Sequence, residues 1–178
     1  MTDAELTKII RIVPDFPVKG IQFFDVTTLF KNPQALEEVV ERIYNLYKDK
    51  GITKVAGIES RGFIVGAALA VRLGAGFVPV RKPGKLPAKT VSQAYAKEYG
   101  TDCIEIHSDA IEPGDVVLIH DDILATGGTS AATVELVRKF GPKAVYANFI
   151  IDITDIPRSS PIPADIEVTS VLRLAERP

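Results

Sequence analysis

The richest run of chemically capable residues is Val116-Val117-Leu118-Ile119-His120-Asp121-Asp122-Ile123-Leu124-Ala125-Thr126-Gly127-Gly128-Thr129-Ser130. A hydrophobic strand ends in two carboxylates, and a short turn with two glycines flanked by hydroxyls then enters a helix. Glycines let the backbone bend until successive amide hydrogens converge, and the start of a helix adds partial positive charge. Thr126, Thr129 and Ser130 supply further donors. The segment Ala125, Thr126, Gly127, Gly128 and Thr129 is therefore a cradle for a terminal phosphate monoester. It has neither the lysine of a nucleoside-triphosphate loop nor the glycine spacing of a dinucleotide fold. Asp121 and Asp122 precede it closely enough to accept hydrogen bonds from vicinal hydroxyls, or to reach Mg²⁺ through water. A diol and a phosphate held together describe a ribose 5-phosphate. A solvated acidic turn before an ordinary helix cap would not call for the whole string.

A second group is basic. Arg61 lies in Glu59-Ser60-Arg61-Gly62, and Arg81, Lys82 and Lys85 lie in Arg81-Lys82-Pro83-Gly84-Lys85-Leu86-Pro87. Arginine forks match phosphate geometry, and lysine adds a movable point charge. Any one of these lysines reads as surface charge; the group reads as a pyrophosphate site at the far end of the sugar. The turn containing Ser60 could add backbone amides, while Glu59 reads as structural or at most a neighbour of Mg²⁺. His120 falls in a buried strand as a core residue, His107 is expected to be exposed, and Cys103 has no basic neighbour to activate it.

These groups need elements to position them. Asn32-Pro33 opens a helix to about Lys50, with Asn32 as its cap and Leu36, Val39, Val40, Ile43, Leu46 and Tyr47 at helical spacing. Lys54 to Ile58 reads as a strand, Phe63 to Leu73 as a helix closed by Gly74, and Phe77 to Val80 as another strand. Strand Val116 to His120, helix Thr129 to Phe140 and strand Ala144 to Ile153 follow. The prolines and glycine between Pro14 and Gly20 keep that stretch irregular. Lys89 to His107 suggests a flexible hairpin or hood. The alternation predicts an α/β fold, a mostly parallel twisted sheet flanked by helices, whose ligands bind beyond the carboxyl ends of its strands. Residues 59–62, 81–87 and 121–129 fall at three such ends.

A length of 178 residues suits one domain, with 46% apolar and 25% charged residues placing it among ordinary globular chains. The net charge of −2 gives no general attraction to nucleic acid or membrane. One cysteine excludes an internal disulfide and a cysteine-built metal site, and favours a reducing compartment. No apolar run approaches the ~20 residues of a spanning helix, and Met1 to Arg11 does not read as a signal peptide. A cytoplasmic location is expected.

From Pro14-Asp15-Phe16-Pro17, through Glu59-Ser60-Arg61-Gly62-Phe63, Arg81-Lys82-Pro83-Gly84-Lys85-Leu86-Pro87 and Tyr95-Ala96-Lys97-Glu98-Tyr99-Gly100, to Asp121–Thr129, the chain resembles the adenine phosphoribosyltransferases, members of the type I phosphoribosyltransferase fold. The resemblance implies transfer of ribose 5-phosphate from 5-phosphoribosyl 1-pyrophosphate to adenine, giving AMP and pyrophosphate with Mg²⁺, in purine salvage by a homodimer. By position, it implies that Ala125 to Thr129 hold the 5-phosphate and that Asp121 and Asp122 hold the ribose hydroxyls. Ser60, Arg61, Arg81, Lys82, Lys85 and Tyr99 would serve the pyrophosphate, and Glu98 would manage a purine-ring proton. It implies a cis peptide between Glu59 and Ser60 and no certain direct protein ligand for Mg²⁺. A single domain 1–178 is expected, with residues about 1–30 and the hood, about 83–109, contributing to the base site. Gln22, Phe23 and Phe24 would meet the base, but Phe24 departs from the family pattern, where a basic residue often stands. For at least one of Phe23 and Phe24, core packing is the preferred role. A transferase for xanthine or hypoxanthine, and a sugar-phosphate-sensing regulator without chemistry, remain alternatives; Glu98 and the basic loop favour catalysis.

Overall fold

The computed structural model describes residues 1–96 and 100–175. Its centre is a five-stranded parallel sheet built from β3 (Lys54–Ile58), β4 (Gly76–Val80), β7 (Val116–Leu124), β8 (Ala144–Ile153) and β9 (Glu167–Leu174), in the order β4-β3-β7-β8-β9. Chain order runs one way from β3 to β4 and the other way from β7 to β9. The switch point therefore falls between β3 and β7, where open α/β sheets form their ligand crevice.

The inner strands β3, β7 and β8 are rich in apolar residues because both faces are covered. On one face lie α3 (Pro33–Tyr47) and α4 (Gly62–Leu73). Asn32 caps α3 by accepting from the Ala35 amide at 3.0 Å, and Ala35, Val39, Ile43 and Tyr47 form its buried stripe at four-residue spacing. Gly74 closes α4 in the left-handed conformation. The N-terminal elements join this face. They are α1 (Asp3–Ile9), begun by a Thr2/Glu5 capping box; an antiparallel hairpin of β1 (Arg11–Pro14) and β2 (Gln22–Asp25); and the short α2 (Thr27–Phe30). The stretch between β1 and β2 is irregular as expected, and a cis Phe16–Pro17 bond lies in it.

The other face is covered by α5 (Gly128–Arg138) and the antiparallel hairpin β5 (Thr90–Ala96) and β6 (Thr101–His107). Ile104 and Ile106 of β6 are buried to 2% and 0% exposure, and β6 bonds the sheet's edge through Glu105 and Arg81. The expected hairpin is present between Thr90 and His107, and its root is part of the core. His107 is likewise only part-exposed, and its Nε2 is buried without a partner among the described residues.

Candidate active site

Both sides of the switch point end in the residues singled out by type and spacing. The strand β7 continues four residues past His120, so Asp121 and Asp122 lie within it, on opposite faces, and not in the turn beyond. Asp122 is 3% exposed and pairs with the Arg61 guanidinium at the head of α4. Burial alone would make Arg61 easier to deprotonate, but Asp122 outweighs it and raises its pKa. Asp121 is different. Burial, then the adjacent charge of Asp122, hold its carboxyl well above the usual range, although it accepts the Asp122 amide at 2.9 Å. The two carboxylates are consequently inequivalent: Asp122 is paired with Arg61, whereas Asp121 is held well above the usual carboxylate range. Gly62 allows this closeness: a β-carbon there would lie 2.8 Å from the His120 carbonyl and 3.1 Å from Asp121 Oδ1.

Beyond Leu124 the chain turns through Ala125 and Thr126 into α5. Gly127, the residue before the helix, has φ of +87°, and a β-carbon on it would strike the Ser160 carbonyl at 2.5 Å. Two independent constraints therefore demand glycine. The first-turn amides of α5 lack intrahelical partners and, with the helix dipole, favour an anion here. Side-chain donors are fewer than the sequence offered: the Thr129 hydroxyl donates to Tyr95 at 3.1 Å, and Ser130 is buried. The turn is braced from behind by Arg158, which donates to the Leu124 carbonyl at 3.1 Å and pairs with Asp152.

At the end of β3, the Glu59–Ser60 peptide is cis, as the resemblance implied. Glu59 organises the basic loop: its carboxylate accepts the Lys82 amide at 2.9 Å and Arg81 Nε at 3.2 Å, and pairs with Lys85. Burial pushes its pKa up, yet Lys85 and these donors hold it below the ordinary range. Lys82 pairs instead with Asp102 of β6. Burial works against its charge, but Asp102 and Tyr95 raise its pKa.

On the N-terminal side, Phe24 is 5% exposed within the core, whereas Phe23 is part-exposed, with its ring 5.4 Å from the Arg61 guanidinium and 5.1 Å from Phe16. Phe24 thus takes the core-packing role preferred for at least one of the pair, its side chain directed inward, and Phe23, next along the strand, points the other way. A separate cavity of about 450 Å³ lies at the opposite, amino edge of the sheet, lined by Arg138, Lys143, Tyr146, Asp165 and Glu167, and shares no residue with this crevice.

The Phosphoribosyl transferase domain family matches residues 25–155. An adenine phosphoribosyltransferase of Phocaeicola vulgatus is 59% identical over 174 residues, covering 98% of this chain and 100% of that protein. The chain belongs to the adenine phosphoribosyltransferase family. The crystal structure of adenine phosphoribosyltransferase from Rhodothermus marinus superposes with a TM-score of 0.91 at 51% identity, covering 97% of this chain and 98% of that one. The structure of APRTase from Giardia lamblia complexed with 9-deazaadenine gives 0.91 at 41%, covering 97% and 98%.

Within this adenine phosphoribosyltransferase fold, the residues expected to act together do converge: Arg61, Asp121, Asp122 and the Ala125–Thr129 turn on one side, and Ser60, Arg81, Lys82 and Lys85 around Glu59 on the other. Glu98 and Tyr99 lie outside the described residues. Sequence reasoning missed Tyr95, Asp102, Arg158 and Ser160. Tyr95 opens the segment Tyr95 to Gly100, but its reach to Thr129, 34 positions away, left no local periodicity to detect. No helix among the described residues is long and apolar enough to cross a membrane.

Proposed function

We propose that this protein transfers the 5-phosphoribosyl group of 5-phosphoribosyl 1-pyrophosphate to adenine, producing AMP and pyrophosphate in purine (AMP) salvage in the cytoplasm. The observation that carries the reading is the end of β7, where an acidic pair runs directly into a glycine-started helix facing Arg61 across the switch point. Its breadth of identity to adenine phosphoribosyltransferases supports adenine over other bases.

In this reading the amides from Ala125 to Thr129 bind the 5-phosphate, and Asp121 and Asp122 take the ribose hydroxyls. Ser60, Arg61, Arg81, Lys82, Lys85 and Tyr99 surround the pyrophosphate. Its departure leaves positive character on the ribose ring, as in glycoside cleavage. Carbon C1 loses its bond to the pyrophosphate oxygen and gains one to a ring nitrogen of adenine, whose proton is released. Glu98 manages a proton on the purine ring, a role typically contributing ~10²–10⁴-fold. Fixed positive groups stabilise the leaving anion, and Phe23 with Gln22 borders the base. The N-terminal segment and the hood, residues about 1–30 and 83–109, complete the base side of a single domain.

Mg²⁺ would neutralise pyrophosphate oxygens. Among the described residues there is no cluster of three or more metal-ligating side chains. Asp122 is tied to Arg61 and Asp121 accepts the Asp122 amide, so this donor set fits an ion arriving on the substrate, with the aspartates as outer contacts. A homodimer fits the apolar stripe on α4, where Ile64 is 46% and Val71 85% exposed, with Ala67 between them. Nucleic acid and membrane are not partners in this reading.

Calorimetry tests it: the phosphoribosyl donor should bind first with Mg²⁺, and adenine should then yield AMP, whereas hypoxanthine and xanthine should not react. Donor binding without product would favour a regulator, and no donor binding would sink the reading.

A further inference from the structure

The hydroxyl of Tyr95 is the meeting point of three segments. It accepts from Lys82 Nζ at 3.1 Å and from Thr129 Oγ1 at 3.1 Å, and it donates to Asp102 Oδ2 at 3.1 Å. A phenol has one proton and two acceptor positions, so all three are used. Lys82 and Asp102 are themselves paired, and the Asp102 carboxylate also accepts the Cys103 amide at 2.8 Å. The ring is close to the first residue of α5: a β-carbon on Gly128 would lie 3.6 Å from its Cδ2. At the cap that follows the helix, Lys139 Nζ donates to the Ser92 carbonyl at 2.7 Å, so β5 is fastened at both ends of α5.

We infer that Tyr95 is a positioning residue that yokes the two anion sites, holding Lys82 of the basic loop at a fixed offset from the 5-phosphate cradle at Thr129. The inference rests on the phosphoribosyltransferase reading and adds to it a residue that touches neither anion. With the Thr129 hydroxyl committed to Tyr95, the cradle relies on its amides and the Thr126 hydroxyl, and the yoke sets where those donors stand relative to the Lys82 charge. A ligand that spans both sites gains from this preorganisation, because the relative placement is fixed before it arrives. A ligand that fills only one site gains little, since its own contacts do not depend on the distance to the other.

The test compares three probes by calorimetry in the presence of Mg²⁺: 5-phosphoribosyl 1-pyrophosphate, ribose 5-phosphate and pyrophosphate. Tyr95→Phe keeps the ring against Gly128 and removes the hub. It should weaken the spanning ligand about tenfold, within the usual range of couplings between sites, and each half-ligand less than about threefold. Asp102→Asn, which removes the charge that anchors Lys82, should reproduce the selective loss and serves if Tyr95→Phe is poorly folded. Unchanged affinity for the spanning ligand in both variants would overturn the inference. So would an equal loss for all three probes, the signature of a merely structural residue. Failure of the wild-type protein to bind the donor would instead strike the reading beneath it.

Discussion

Single residues at this site are constrained by opposing demands that their substitution should expose. Gly127→Ala would meet both an unfavourable φ and the Ser160 carbonyl. The conformational part alone costs roughly 1–2 kcal/mol. Donor affinity should collapse together with thermal stability, whereas Gly141→Ala, with positive φ but open space, should lose only the stability. Asp121 makes a prediction about pH. Its folded pKa is raised, so its favourable contribution is present below the ordinary carboxylate value of 3.8 and is lost as pH rises through the elevated one. Asp121→Asn keeps an acceptor for the Asp122 amide without the buried charge. Melting curves should show a variant more stable than wild type by a margin that widens toward neutral pH, while ribose affinity falls. A margin independent of pH would contradict the assigned burial. At this scale the sequence was most legible where chemistry and backbone coincide, as at Asp121–Thr129. It was least legible where a side chain's meaning comes from a distant partner, as with Arg158 behind the cradle.

Among the elements, the hairpin β5–β6 has the clearest consequence. Its root is core, so moving the entire hood would require Ile104 and Ile106 to leave apolar surroundings. Ile106→Ala should therefore cost about 3 kcal/mol in denaturant unfolding, as for other buried isoleucines. A loss under about 1 kcal/mol would fit a detachable hood instead. The strands β3 and β8 and the helices α3, α4 and α5 were readable to within a few residues, because apolar periodicity and caps mark them. The strand β9 was not, since it is an edge of the sheet in which Glu167, Thr169, Ser170 and Arg173 dilute the apolar pattern. The hairpin β1–β2 escaped for another reason: two four-residue strands, the first ending at Pro14, carry too little pattern to register.

Across the whole molecule, the order β4-β3-β7-β8-β9 brings residues near positions 60, 82 and 122 to one crevice. Only the alternation of strand and helix, with the rule for carboxyl ends, could anticipate that from sequence. The α4 stripe makes a prediction at this scale: Ile64→Lys combined with Val71→Lys should convert a dimer to a monomer in light scattering, with the fold retained. Persistence of the dimer would place the interface elsewhere. The Ser160 carbonyl that walls off Gly127 also has a reach beyond its immediate neighbourhood. Because the backbone after β8 backs the turn proposed to hold the 5-phosphate, lesions at Arg158 or Pro161 should masquerade as substrate-binding defects. A genetic screen for lost salvage would then recover a hot region some thirty positions downstream of the motif that gives the pocket its chemistry.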